Sequence, residues 1–499
     1  MAERKRRKGR EIDRRTFLKA SGAVGTAALG GLSIPPFLTY AAGDTVESRA
    51  VEAGKALAKG RSIDLTFMIW SAYGRGQITK LAKKYKGLTG IGIAKAIDVN
   101  VFVMPPRAMQ EAVAKTGKID VFHLGGEMIP SLANAGLARP LDRLMEKGGH
   151  KIETVGPAAN IMKYRGQQYG LLTDGNVHVT FMRKDVIDKR AKEYEDKFGK
   201  SWSWPQTWKD YNAQMKFFGT TPNLVKSTEP FYGSGNLRAR RTGGPYWWFM
   251  IYYSKGGFPF TDEAEPNLDT DAAVEATEEY LATKESSPPE ITDWGSPQMI
   301  PYYSSGHVFS VTYWDGGYQA AEGAKSATRG KWVIGQVPGS MQGGTLVKRS
   351  ITSLPSSFII NRHSKKAEAA YWLCQYLTGP ENSTRIVGDS ENVFHDPWHP
   401  RHFKDPAVIK AYTPEGMKAI RQNLQVTTVS LLVTGGPLQF FDHLDKNLAE
   451  AMLGKHNAKQ AMKKTQETWA RVVRKIGKKI IKADLQGYRD AISKINVPT

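Results

Sequence analysis

Three observations predict an α/β fold built mainly on parallel sheet. Short apolar runs rich in β-branched and aromatic residues recur along the chain. Amphipathic stretches of helical length separate them, the spacing of strand–helix–strand units. Glycines and prolines mark the joins. At 499 residues and 40% hydrophobic, the chain has the length for two or three domains with a sizeable core.

Gly43 to Arg61 reads as a helical or poorly ordered lead-in. Ile63 to Trp70 is a first strand, followed by Ser71, Ala72, Tyr73 and Gly74. Gln77 to Leu88 is a helix with Ile78, Leu81, Ala82 and Tyr85 inward, stopped by glycine. Ala96 to Met104 is expected as a second strand halted by Pro105-Pro106, and Ala108 to Lys115 as a helix. Ile119 to Leu124 is a third strand, leading to Gly125, Gly126 and Glu127; Ser131 to Gly136 is helical. Tyr169 to Asp185 reads as a strand broken near its start at Thr173-Asp174-Gly175, with Val177, Val179 and Phe181 alternating. Thr207 caps a helix, with Asp210 three residues on. Pro245 to Tyr253 is densely aromatic, and Thr270 to Thr283 is a helix. Ile351 to Ile360 is a strand, Ser364 to Leu377 a helix, and Asp389 to Pro406 a loop. Gly435-Gly436-Pro437 opens a helix through Phe440 and Phe441 to Met452. Lys455 to Lys482 reads as one long amphipathic helix with Ala461, Trp469, Val472, Ile476 and Ile480 on its apolar stripe. No internal repeat is present.

Ser305 to Tyr318 organises the functional reading. Val308, Phe309, Val311, Thr312 and Tyr313 form a buried-strand pattern that breaks at Asp315-Gly316-Gly317. Such a strand delivers Tyr313, Trp314 and Asp315 to its C-terminal end, where open α/β sheets bind ligands. An indole covers the C–H face of a sugar, and a carboxylate accepts its hydroxyl protons. The same residues also suit a core aromatic pair beside a solvent turn.

Lys+Arg 70 against Asp+Glu 48 gives a net charge of +22; outside residues 1–42 it is +16. Positive charge spread in this way serves solubility, and neither zinc-finger spacing nor an aromatic-basic RNA motif occurs, so nucleic acid is not an expected partner. Asp13-Arg14-Arg15-Thr16-Phe17-Leu18-Lys19 resembles the twin-arginine export motif. A basic stretch from Arg4 to Arg10 precedes it, and a weakly apolar Gly/Ala-rich segment, Ala20 to Leu38, follows. Ala41 and Ala42 offer a cleavage site, so residues 1–42 read as a signal peptide. No later run approaches the roughly 18 apolar residues of a membrane span. The single Cys374, in an apolar helical pattern, is expected as a buried, inert thiol.

His395, His399 and His402 lack regular metal-ligand spacing and read as a polar loop, so no metal or cofactor is expected. Arg238, Arg240, Arg241 and Gly243-Gly244 lack the strand–loop–helix frame of a phosphate loop and read as a solvated patch. The basic face of Lys463 to Lys482 reads as solvated, with anionic lipid as the alternative. Neither a dinucleotide fingerprint nor a nucleophile elbow occurs, which argues against an enzyme.

From Ile63 to about Ile481 the chain resembles the extracellular solute-binding proteins of ABC importers, the sugar-binding family that includes maltose-binding protein. The matching pieces are the opening strand and helix with Thr89-Gly90, Asp120-Val121-Phe122 followed by Gly136 and Pro140, and Tyr169-Gly170 through Asp185. Pro205-Thr207-Trp208, Gly306 to Trp314 and Ser357 to Leu377 follow in order. Phe309 and Val311 replace a usual methionine, Tyr313 stands where glycine is common, and Asp389 to Pro406 does not match.

The resemblance implies the two-lobe, type II periplasmic binding protein fold, α/β, with a hinge and an interlobe ligand cleft. Lobe 1 would comprise residues 63–172 and 351–400, lobe 2 residues 173–350 and 401–485, with 43–62 a lead-in and 486–499 a tail. Carried over by position, the cleft candidates are Trp70, Ser71 and Tyr73; Gly126 and Glu127; Asp174; Tyr246, Trp247 and Trp248; Tyr313, Trp314 and Asp315; Thr352 and Ser353; Phe440 and Phe441. Trp314 would stack on a polyhydroxy ligand and Asp174 accept its hydroxyls. The implied function is non-enzymatic capture of a sugar, polyol or oligosaccharide by a monomer in the periplasm. It would deliver this ligand to a permease and its ATPase in the inner membrane, after export by the twin-arginine translocase. An exported enzyme and a binding protein for an anionic solute are the alternatives.

Overall fold

The computed structural model describes residues 44–70, 76–100, 103–353, 356–389 and 395–493. Helix α1 (Val46–Ala58) is capped by Thr45, whose hydroxyl accepts the Ser48 N–H. Strand β1 (Ile63–Ile69) buries Leu65, Phe67, Met68 and Ile69. Helix α2 (Gln77–Thr89) ends at Gly90, whose φ of 81° turns the chain directly into β2 (Ile91–Asp98). The second strand therefore starts earlier than its composition suggests. Pro105 and Pro106 do not halt it; they lie in the first turn of α3 (Met104–Ala114), where a missing N–H costs nothing. Strand β3 (Val121–Gly125) and the short β4 (Gly170–Leu172) complete the chain's first pass through this sheet.

After β4 the chain crosses through 173–177 into a second sheet and enters β5 (His178–Arg183). Helix α4 (Trp208–Phe218) opens with the expected capping box of Thr207 and Asp210. Strand β6 (Tyr232–Ser234), aromatic helix α5 (Gly244–Ser254), helix α6 (Asp271–Ala282), strand β7 (Val308–Trp314), helix α7 (Asp315–Ala321) and strand β8 (Trp332–Gly335) follow. The expected strand 351–360 is two: β9 (Ser350–Thr352) lies in the crossing back, and β10 (Ser356–Ile360) joins the first sheet. Helix α8 (Ala367–Thr378) packs on α1, and α9 (Pro406–Tyr412) abuts α7. Strand β11 (Thr427–Val429) pairs in parallel with β9.

A π-helical turn, Gly436–Phe440, precedes α10 (Phe441–Met452). The expected long helix is two, α11 (Ala458–Ile476) and α12 (Lys478–Ser493), because Gly477 adopts φ 102° and breaks the run. Residues 486–493 are not a loose tail. They continue α12, with Tyr488 and Ala491 buried, while Asp484 accepts the Tyr164 hydroxyl at 2.8 Å and the Thr434 N–H at 2.9 Å.

The first sheet has the order β2-β1-β3-β10-β4 and the second β8-β5-β7-β6. Each has one reversed strand: β10 opposes β3 and β4, and β5 opposes β7 and β8. These are the strands that enter a sheet from a crossing, so they run away from the junction while the others run toward it. The C-terminal ends of β1, β3 and β7 consequently face the same region. Cys374 is buried and its thiol is pushed up by burial. Among the described residues no helix is long and apolar enough to cross a membrane.

Candidate functional site

Strand β7 delivers Trp314 to the junction, where the indole is half-buried. Antiparallel pairing sets His178, the first residue of β5, directly across from it, with ring centroids 5.0 Å apart. The Trp314 Nε1–H donates to Ser353 Oγ at 2.7 Å, tying β7 to the return crossing. Trp247 meets the indole edge-on at 5.4 Å, and Tyr246 lies 6.1 Å away. Gly243 makes this contact possible: its φ is 98°, and a Cβ there would lie 3.1 Å from Trp314 Cη2. Tyr246 in turn packs against half-buried Phe441 at 4.7 Å.

Glu127, two residues past the end of β3 in the first sheet, approaches this group. Burial first, then the Glu127 and Asp445 carboxylates, hold the Tyr246 hydroxyl well above its usual range. His178 donates its Nδ1–H to the Ile351 carbonyl at 3.1 Å, and burial lowers its pKa to about 4. It is therefore neutral at pH 7. Trp70 is half-buried at the end of β1. The result is an aromatic surface with a hydroxyl and a carboxylate beside it, chemistry suited to a ligand with C–H faces and hydroxyl rims.

A second cluster lies at the crossing itself. Asp174, Asp315 and Asp396 are buried together. Asp174 Oδ1 accepts the Asp396 N–H at 2.6 Å, and Asp315 Oδ1 accepts the Val177 N–H at 3.1 Å. The Tyr412 hydroxyl donates to Asp396 Oδ1 at 2.8 Å. Burial raises both Asp315 and Asp396, and Asp315 is raised further by Asp396 and Asp174 beside it. Burial disfavours the charged forms of Asp315 and Asp396, so this pair takes up protons more readily than exposed carboxylates do.

The site candidates therefore divide. Trp314, Ser353, Tyr246, Trp247 and Phe441 come together, with Glu127 reaching Tyr246 and Gly126 packed beside it on Ile161 and Met162. Asp174 and Asp315 belong to the carboxylate cluster. Tyr313 points behind the strand and bonds Ser296 Oγ at 2.5 Å. Trp248 is core: its Nε1–H donates to Thr277 Oγ1 at 2.8 Å, and its ring stacks on Tyr252. Phe440 is core against Trp469 and Phe260, and Thr352 is buried against Thr427. Ser71 and Tyr73, like Arg14 and Arg15, lie outside the described residues.

His178, Asp396 and Tyr412 were missed; only the pairing of β5 with β7, and contacts across hundreds of residues, bring them in. His395, His399 and His402 of the polar loop are buried. The His402 ring engages Ser383 Oγ at 3.1 Å and accepts the Trp398 N–H, and His399 Nδ1 accepts the Arg401 N–H at 3.1 Å. Among the described residues no cluster has metal-binding geometry. Arg238 is likewise no solvated group: it is buried over Tyr280 at 4.2 Å and donates to Thr283 Oγ1. Arg240 pairs with Asp442 at 3.0 Å. Surface hollows lie elsewhere, one beside Tyr194, Trp204 and Gln214 and another beside Met215, Tyr232 and Glu285.

A family model described as bacterial extracellular solute-binding protein matches residues 80–392, and the twin-arginine translocation pathway signal sequence matches residues 11–31. Comparison with curated protein sequences gives no match. Among solved structures, the maltose-bound MalE3 of T. maritima is similar at TM-score 0.69 and 15% identity, over 81% of this chain and 98% of that one. An ABC transporter solute-binding protein of Agrobacterium radiobacter in complex with ribitol gives 0.69 and 16%, over 82% and 98%. An ABC substrate-binding protein of Listeria monocytogenes in complex with cycloalternan gives 0.66 and 18%, over 83% and 99%. At these identities the likeness shows the fold: a two-domain, maltose-binding-protein-like α/β architecture.

Proposed function

Because the chain belongs to the bacterial extracellular solute-binding proteins and carries a twin-arginine signal for export to the periplasm, we propose that it captures a sugar, polyol or oligosaccharide between its lobes. It then presents this ligand to an ABC permease whose ATPase lies across the inner membrane. The observation that carries the reading is the half-buried Trp314 at the end of β7, held by Ser353 and flanked by Tyr246 and Phe441, with Glu127 arriving from the other lobe. An aromatic face supplies dispersion and apolar contact to the C–H side of a sugar ring, and a buried carboxylate accepts hydroxyl protons strongly. Contacts from both lobes favour the closed arrangement by their differential free energy.

Support also comes from the likeness to structures that hold maltose, ribitol and cycloalternan. Asp174 enters this reading as an organiser of the crossing rather than as the hydroxyl acceptor, since one of its oxygens holds the Asp396 N–H. Family and fold are those of binding proteins, so we read the chain as a monomeric carrier that performs no turnover. Thermal-shift screening against sugars, polyols and sugar acids tests this. A rise in midpoint with a neutral polyhydroxy compound is expected; a rise only with anionic compounds would redirect the reading to an anionic solute.

A further inference from the structure

Helices α11 and α12 carry a charge pattern that the folded state does not use. Between Ala458 and Lys482 the chain has seven lysines, two arginines and a single carboxylate, Glu467. In α11, Ala461, Met462, Thr465, Trp469, Val472 and Val473 face inward. Lys459, Lys463, Lys464, Arg471, Arg474 and Lys475 occupy the opposite half and are exposed. Lys478, Lys479 and Lys482 add exposed cations at the start of α12. Lys478 pairs with Glu265; the others have no carboxylate within ion-pair reach among the described residues.

Much of this arrangement opposes helix stability, although Arg474 and Lys475 in the last turn of α11 suit the helix dipole. Lys459 and Lys463, and Arg471 and Lys475, are like charges four residues apart, which repel. Lys478 and Lys479 stand in the first turn of α12, where the helix dipole disfavours cations. Most of these cations gain nothing from the fold, and an exposed, largely unpaired array points to an external partner.

We propose that this face docks on an anionic phospholipid surface. The array is long, about 28 Å for the 19 residues of α11. It consists mostly of lysines, which act as compact point charges suited to a diffuse lattice of phosphates; arginine forks suit a fixed bidentate site. Its exposed positions include no aromatic residue on which a nucleic-acid base could stack. Leu453, exposed in the turn leading into α11, supplies an apolar side chain at one end. Export by the twin-arginine route brings the face to the side of the membrane where the importer opens, so docking would hold the carrier near its permease. The proposal goes beyond the ligand reading and does not depend on which solute binds.

The test is co-sedimentation of the exported protein, purified from the periplasm, with sucrose-loaded vesicles. One set contains phosphatidylglycerol in phosphatidylcholine and the other phosphatidylcholine alone. Binding to the anionic vesicles at 0.1 M salt, and release at 1 M, is expected. Replacing Lys459, Lys463, Lys475 and Lys479 by Gln should lower partitioning by well over tenfold, since each lysine near an anionic surface contributes about fivefold. The matched variant with Lys189, Lys192, Lys197 and Lys200 replaced by Gln removes the same charge from another exposed surface and should stay within twofold of wild type. Circular dichroism checks that both fold; should the first unfold, the pair Lys464→Gln and Lys482→Gln gives the same reading with less change. Equal loss in both sets would assign the effect to net charge and overturn the proposal. So would absence of vesicle binding, or retention on heparin without it, which would indicate a soluble polyanion.

Discussion

Replacing Trp314 by Ala removes the centre of the aromatic group at the end of β7. Truncating a fully buried Trp or Phe to Ala costs ~3–5 kcal/mol. Trp314 is half-buried, so about half of that, ~2 kcal/mol, is expected from lost contact with His178, Trp247 and Tyr246. Loss of the 2.7 Å hydrogen bond to Ser353 adds ~1 kcal/mol. The unfolding free energy should therefore fall by ~3 kcal/mol. Trp314→Phe, which keeps one aromatic ring but loses the donor and part of the indole contact, should lose ~1–2 kcal/mol. Ser353→Ala should lose ~1 kcal/mol, and adding it to Trp314→Phe should cost little more, because both remove the same hydrogen bond. Loss of stacking should weaken ligand binding by ~1.5–3 kcal/mol, tenfold or more. Urea unfolding followed by circular dichroism gives the first set of numbers, and isothermal titration the last. A Trp314→Ala protein within 0.5 kcal/mol of wild type in stability and within twofold in affinity would refute the reasoning.

Three further outcomes are expected. Asp315 and Asp396 have folded values raised above 3.8, so they cost nothing below that pH and progressively lower stability as pH rises through their folded values. Asp315→Asn, which cannot ionise but can still accept from Val177, should flatten the fall of the melting midpoint above pH 4; an unchanged slope would show that the cluster does not titrate as described. The buried histidines act in the opposite sense in both proteins: His123 and His395, lowered to about 3, lose their contribution as pH falls below 6.5. Replacing Arg14 and Arg15 together by Lys should leave precursor in the cytoplasm, read by fractionation and immunoblotting; normal export would contradict the signal assignment. Candidate ligands incubated with the protein should be recovered unchanged by chromatography, and turnover that co-purifies with the protein would identify an enzyme.

Local chemistry made much of the fold legible. The apolar run ending at Asp315-Gly316-Gly317, the Thr207/Asp210 capping box and the glycine stop after α2 each depend on neighbours within a few residues. Strand β2 was misplaced because its outer residues, including Lys95, are exposed and break the apolar pattern, while two prolines that begin a helix resemble a stop. The break at Gly477 was hidden by an apolar stripe that continues on both sides of it. At the site, Trp314 was legible because a strand end announces it. Its partner His178 was not, because only antiparallel register sets the two side by side. Asp174 looked like a cleft acceptor since it lies at a crossing. Its partner Asp396 is 222 residues away, and nothing local could show that the carboxylate turns toward that segment.

The central claim is that a polyhydroxy solute binds between the lobes. A crystal structure of the protein with the compound that most raises its melting midpoint tests it most directly. The account predicts the compound between the ends of β3 and β7, a C–H face against the Trp314 indole, and polar contacts from residues of both lobes. A compound bound elsewhere, or held by one lobe alone with Trp314 still packed away from it, would contradict the account.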